Sequence, residues 1–453
     1  MNKKLKTSVL SLLMSTVFLP VLFPMPAFAQ SNSKPLKVFI LAGQSNMQGQ
    51  ADISTIDYIG DDPKTAPMLL EMRDNNGRYR LVKDTWISYL THGRGTPNGE
   101  GIGQLTVGFG ARKDPAKDGG KIGPEFTFGI YMQKSLKQPI LIIKTAWGGK
   151  SLHTDFRPPS AGPYEFNESE IVSIKKRGLN LEEERAKKKA ATGVYYRLMV
   201  EHVKYVLSDI KRVYPDYDEN QGYKIGGFVW FQGWNDVVNS GVYPRRGQPG
   251  GYDKYSEWLA MLIRDVRRDL RAPNMPFVIG VLGTNGPIEN IEKRYRAIHG
   301  TFRQAMAAPA DLPEFKGNVI AVHTAPYWDM VLDGIAKKRG LLNQRKRSLE
   351  NRIKQGEVTG DEVANELAEI EAELTSPEDS ALWKRGASNA AYHYLGCAKT
   401  MALIGKGFAE AVLELQVRQL LHSLLRYFDS VAFAPKTELD GELLDRLHPG
   451  NAQ

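Results

Sequence analysis

Apolar residues along this chain follow two rhythms. Five short runs rich in Val, Ile and Phe lie at about 37–42, 139–144, 226–231, 277–282 and 318–323, and between them apolar residues recur every three or four positions. A run of that length suits a strand buried on both faces, and strands alternating with helical segments build a parallel sheet covered by helices. The expected fold class is α/β: three layers, α/β/α, around a doubly wound, mostly parallel five-stranded sheet.

Two insertions interrupt the alternation. Asn180 and Glu183 have the spacing of a capping box, and Tyr195, Leu198, Met199, Val203, Val206 and Ile210 follow at helical intervals, which predicts one long helix with a core-facing stripe. Residues 333–374 are highly charged, break at Gln355-Gly356 and restart at a second capping pattern, Thr359 with Glu362. Narrow apolar stripes, Leu342, Leu349 and Ile353 on one arm and Val363, Leu367, Ile370 and Leu374 on the other, predict an antiparallel helical hairpin projecting from the sheet. Such an arm serves as a lid, a partner surface or a solvated projection. Glycine-rich residues 98–103 show no strand-to-helix transition and read as a loop.

The chain begins with Lys3, Lys4 and Lys6, an apolar run over 9–23 and Ala27-Phe28-Ala29. That order is a secretory signal peptide cleaved after Ala29, and Pro20, Pro24 and Pro26 speak against an uncleaved spanning helix. The expected domains are a signal peptide at 1–29, one catalytic-sized domain at 30–425 that carries the hairpin, and a C-terminal tail at 426–453. The mature product is expected to be secreted or periplasmic, with no stable membrane span.

Charge excludes more than it assigns. The net charge of +9 falls to +6 without the leader, and the basic runs at 175–177 and 187–189 sit on helical stretches that also carry acids. A solvated face explains them, and nucleic acid is not an expected partner. Cys397 is the single cysteine, so no intrachain disulfide forms, and it reads as a small core residue. No nucleotide, haem or zinc pattern appears, so neither cofactor nor metal is expected.

Candidate chemistry lies in four blocks. Gly43-Gln44-Ser45-Asn46-Met47 stands where the first apolar run stops, which delivers a hydroxyl to the carboxyl end of a strand, where open α/β sheets bind ligands. Trp147-Gly148-Gly149 follows the second run; paired glycines there expose a backbone N–H to a substrate oxygen or simply make a turn. Gln232-Gly233-Trp234-Asn235-Asp236 follows the third, where Asn235 can donate its amide to an oxyanion or cap a helix. Tyr392-His393-Tyr394 precedes a long amphipathic segment, and a histidine so placed can act as a base toward Ser45 or serve structure alone. Together they supply the nucleophile, base and oxyanion donors that acyl transfer needs.

With these blocks in hand, the chain resembles the SGNH-type hydrolases, which have a flavodoxin-like fold. Within them it is similar to the sialate O-acetylesterase and acetylxylan esterase-like group of carbohydrate esterase family six, from Lys37 to about Leu415. The resemblance implies Ser45 as nucleophile and His393 as base. It implies an oxyanion hole from the Ser45 backbone, Gly148 or Gly149, and Asn235. Gln44, Gln232 and Trp147 are the expected substrate contacts. The implied reaction is removal of O-acetyl groups from an acetylated carbohydrate without a metal.

The chain departs from that pattern at the acid. Many relatives carry Asp three residues before the histidine, where this chain has Ala390, and some carry Glu where it has Trp234. Asp236, then Asp329 and Glu125, are the candidate carboxylates, and Asn389 is a neutral alternative. A second match, Asp445 with His448-Pro449, lies too near the end for a following helix, so His393 is preferred. Trp147, Trp230, Trp234 and Tyr392 are candidate sugar platforms, with at least half expected in the core. Two rival readings remain: an inactive carbohydrate-binding protein, and a lipid or aryl esterase.

Overall fold

The computed structural model describes residues 34–91, 99–112, 119–355, 357 and 360–432. The signal segment, the Asp445–His448 match and the Thr359 cap lie outside the described residues. No helix among the described residues is long and apolar enough to cross a membrane.

The expected strands are present as β1 (Leu36–Gly43), β4 (Ile140–Ala146), β5 (Tyr223–Phe231), β6 (Phe277–Val281) and β7 (Val319–His323). Two more, β2 (Thr85–Leu90) and β3 (Glu100–Gln104), complete a seven-stranded sheet of order β3-β2-β4-β1-β5-β6-β7. All its pairings are parallel except β2 with β3. Part of the glycine-rich stretch expected as a loop is thus an antiparallel edge strand. Strand β3 gains its order from pairing with β2, so it lacks the apolar run that marks a buried strand.

From β1 the chain forms β2, β3 and β4 on one side and then crosses to β5 on the other. Helix Glu125–Leu136 packs on one face of the sheet, where Phe128 meets Phe39, and Val194–Ser208, Asp253–Asp269 and Lys293–Ala307 cover the opposite face. The long helix Ala398–Ala432 returns to the first face, where Thr127 Oγ1 donates to the Ala402 carbonyl at 2.8 Å. It runs past residue 425, where the tail was expected to begin. The result is the expected three-layer arrangement, and its switch point lies at the carboxyl end of β1.

The single helix expected from Asn180 is two. Asn180 caps Leu181–Ala191 by accepting from the Glu182 and Glu183 N–H groups, and Gly193, at φ +68°, then turns the chain into Val194–Ser208. The hairpin forms as Met330–Lys354 and Gly360–Leu374, with a small core of Leu349, Val363 and Ile370 separate from the main one. Cys397 is a buried free thiol, pushed up to about 11 by burial.

Candidate active site

Parallel register brings three of the four motifs together. Gly43 pairs with Ala146 on one side and Phe231 on the other, so β4, β1 and β5 end level and their loops leave side by side. Glycine is required at 43, because a Cβ there would sit 2.1 Å from the Phe231 carbonyl oxygen. Ser45 opens the four-residue helix Ser45–Gln48 and is 6% exposed. Gly49, at φ +90°, ends that helix where any side chain would strike the Gly123 backbone. A Cβ added to Gly148 would lie 3.8 Å from the Ser45 Cβ, so the glycine pair of the second block borders the serine.

Gln44 ties the first block to the third. Its Oε1 accepts from the Gly233 N–H at 2.9 Å and from Gln232 Nε2 at 3.1 Å, while its Nε2 donates to Asn235 Oδ1 at 3.0 Å. Asp236, buried completely, accepts from the Leu152 N–H at 2.8 Å, the His153 N–H at 3.2 Å, Gln232 Nε2 at 2.7 Å and Tyr243 Oη at 2.8 Å. It clamps the loop after Gly149 onto the loop of Asn235. Burial pushes its carboxyl up to about 6 against the pull of those donors.

Beneath the serine helix lies a buried ion pair that sequence reasoning did not single out. Lys144 Nζ meets Glu125 Oε2 at 2.7 Å and also donates to the carbonyls of Gln48 at 2.9 Å and Phe109 at 2.8 Å. Its only sequence signal is a lysine at the end of an apolar run. Burial lowers the lysine to about 8, opposed by Glu125.

The fourth block reaches the first through Asn46, whose Nδ2 donates to the Tyr392 carbonyl at 3.2 Å. That bond joins the neighbour of Ser45 to the neighbour of His393. The imidazole makes no direct hydrogen bond to Ser45 Oγ. Its Nδ1 lies 2.9 Å from Asn389 Oδ1. The Ala390 N–H donates to the same oxygen at 2.8 Å, which identifies that atom as the carbonyl and makes Nδ1 the protonated nitrogen. Nε2 is left with its lone pair. Burial, with Lys121 adding to it, lowers the imidazole to about 4, so the ring is neutral at neutral pH.

None of the three candidate carboxylates touches that ring. Asp236 is engaged as described, Glu125 holds Lys144, and Asp329 caps Met330–Lys354 and pairs with Lys399 at 2.5 Å. The preference for Asp236 as the orienting acid therefore gives way to Asn389. Gln44, Gln232 and Trp147, expected as substrate contacts, are each 1% exposed and serve to join loops or fill the core. Trp230 is buried as well, whereas Tyr392 is 42% exposed and lies tilted against the partly exposed Trp234 beside Asn235, ring centroids 5.6 Å apart. Two of the four candidate platforms are thus in the core.

A second Ser/His/Glu cluster lies elsewhere: Ser88 Oγ is 2.8 Å from His202 Nε2 and 2.6 Å from Glu100 Oε1. Ser88 is fully buried and gives its proton to the carboxylate, so it cannot attack a ligand.

A mostly parallel three-layer sheet whose switch-point loops gather a serine, paired glycines and an asparagine is an arrangement suited to ester hydrolysis. The chain belongs to the carbohydrate esterase family described as sialic acid-specific acetylesterase, whose model matches residues 35–317, a span that holds Ser45, Gly148 and Asn235 and stops short of His393. No curated protein matches it. Similar solved structures include a protein of Arabidopsis thaliana at 16% identity, covering 64% of this chain and 86% of that one, with a TM-score of 0.32. Another is a carbohydrate acetylesterase from Xanthomonas citri at 14% identity, covering 63% of this chain and 49% of that one, TM-score 0.33. A third is NanS at 16% identity, covering 64% of this chain and 79% of that one, TM-score 0.33.

Proposed function

We propose that the protein is a secreted serine esterase that removes O-acetyl groups from carbohydrate, either an acetylated polysaccharide such as xylan or an acetylated sugar. Ser45 Oγ attacks the acetyl carbonyl carbon while His393 Nε2 takes its proton. The Ser45 N–H, the N–H of Gly148 or Gly149, and Asn235 Nδ2 receive the tetrahedral oxyanion. Collapse breaks the bond to the sugar oxygen, which leaves as the hydroxyl by taking the proton from His393, and water, giving a proton to His393, then attacks the acyl-enzyme to release acetate and return Ser45 Oγ–H. Asn389 stands in the place of the acid, and Trp234 with Tyr392 offers an aromatic face to the sugar.

The observation that carries this reading is the hydrogen bond from His393 Nδ1 to Asn389 Oδ1 at 2.9 Å, because it leaves Nε2 free to act as a base. The family description, carbohydrate esterase and sialic acid-specific acetylesterase, supports an O-acetylated sugar as substrate. The leader at 1–29 supports export.

The test is acetate release from acetylated xylan, O-acetylated sialic acid and a small aryl acetate by the mature protein, Ser45→Ala and His393→Ala. Turnover by the wild type that is lost in both folded variants supports the proposal, and the preferred ester names the substrate. The neutral Asn389 favours one second reading, carbohydrate binding without turnover, and silence on every ester with retained sugar binding would establish it.

A further inference from the structure

We infer that Gln44 is a positioning residue that decides which edge of the Asn235 amide faces the reacting carbonyl. The inference rests on Asn235 being an oxyanion donor, as proposed above. At 1% exposure Gln44 cannot itself touch a substrate. Its effect passes through hydrogen bonds, and their polarity can be worked out atom by atom.

A backbone N–H can only donate. The N–H groups of Gly233 at 2.9 Å and Asn235 at 3.4 Å both point at one terminal atom of Gln44, so that atom is the oxygen. Gln232 agrees: its amide nitrogen is fixed by two acceptors, the Lys150 carbonyl at 3.0 Å and Asp236 Oδ2 at 2.7 Å, and it turns to the same Gln44 oxygen. The other terminal atom of Gln44 is therefore the NH2 group. It faces the Asn235 side chain at 3.0 Å, and a donor there demands the Asn235 oxygen. Asn235 Nδ2 is pushed to the far edge, where it has no protein partner among the described residues and is free for a ligand. Reversing Asn235 would set N–H against N–H and orphan the Gln44 donor.

The glutamine is held in turn. Its own N–H donates to the Phe231 carbonyl at 3.2 Å and its carbonyl accepts from the Gln48 N–H at 2.8 Å, so its backbone is pinned between the end of β5 and the serine helix. One residue thus couples the position of the nucleophile to the polarity of an oxyanion donor that follows another strand.

The test is Gln44→Glu, which keeps size and shape. The carboxylate still accepts from Gly233 and Gln232, but its second oxygen also accepts, and Asn235 must turn Nδ2 toward it and away from the acyl group. We expect kcat to fall about a hundred- to a thousandfold with KM within about twofold. In an Asn235→Ala background the same substitution should cost nothing further, which a merely structural role would not reproduce. Asn235→Asp, which keeps the bond from Gln44 and replaces only the donor, guards against a folding failure and should lose kcat to a similar degree. A wild-type kcat in Gln44→Glu, or an undiminished loss in the Asn235→Ala background, overturns the inference. A wild-type kcat in both Asn235 variants would overturn the oxyanion assignment itself, a distinguishable failure.

Discussion

Oδ1 of Asn389 accepts from Nδ1 of His393 at 2.9 Å, and the Ala390 N–H holds that oxygen in place at 2.8 Å. An amide so oriented fixes the tautomer and direction of the ring as a carboxylate would, yet it carries no charge to balance an imidazolium. His393 is accordingly lowered to about 4 by burial and by Lys121.

The acid limb of kcat/KM should therefore lie near pH 4, where His393 takes up its proton and ceases to be a base. Asn389→Asp adds a negative charge beside the ring and favours its protonated form, so the limb should move to higher pH while the maximal rate rises. Asn389→Ala releases the ring and should lower kcat by roughly ten- to a hundredfold, the worth of one hydrogen bond. A pH–rate profile of the three proteins checks the sign of each change.

Removing Glu125 leaves a buried ammonium without its partner. Glu125→Gln should destabilise the protein by about 3–5 kcal/mol at neutral pH. With Glu125 gone, Lys144 falls still further below its unfolded value near 10.5, so the unfolded state binds more protons and stability should recover as pH rises toward 10. Urea midpoints at pH 7 and 9 measure it, and Lys144→Met added to Glu125→Gln should regain part of the loss.

Asp236→Ala removes the acceptor of two backbone N–H groups, a glutamine amide and a tyrosine hydroxyl. We expect destabilisation on the order of 3 kcal/mol or more, together with lost turnover as the Gly149 loop comes away from the Asn235 loop. Chemical denaturation and acetate release, read on the same preparations, test the coupling.

Trp234→Ala and Tyr392→Ala should raise KM for an acetylated saccharide by roughly fivefold to tenfold and leave kcat/KM for a small aryl acetate within about twofold, because a stacking face is worth about 1 kcal/mol and acts only on a sugar large enough to reach it.

Much of the candidate site's placement was legible locally. The convergence of Ser45, Gly148 and Asn235 was legible because each follows an apolar run at the carboxyl end of a strand, and parallel register makes those ends meet. Strand β3 and the break at Gly193 were missed because edge pairing and a positive φ leave no apolar period to read. Gln44 and Gln232 were read as substrate contacts, since a polar residue beside a nucleophile looks the same in sequence whether it faces solvent or a neighbouring loop.

By itself, then, the sequence determined the layers, the strand ends and the identities of serine, glycine pair, asparagine and histidine, all of which depend on apolar period and chain order. Only the tertiary structure decided which polar group each side chain meets. Asp236 is taken by N–H groups 84 and 83 residues away and Glu125 by a lysine 19 residues on, while Asn389, four residues before the histidine, is the group left to hold its ring. Hydrogen-bond partners are assigned by proximity in space and by the need to satisfy every buried donor, and neither is written in the local pattern.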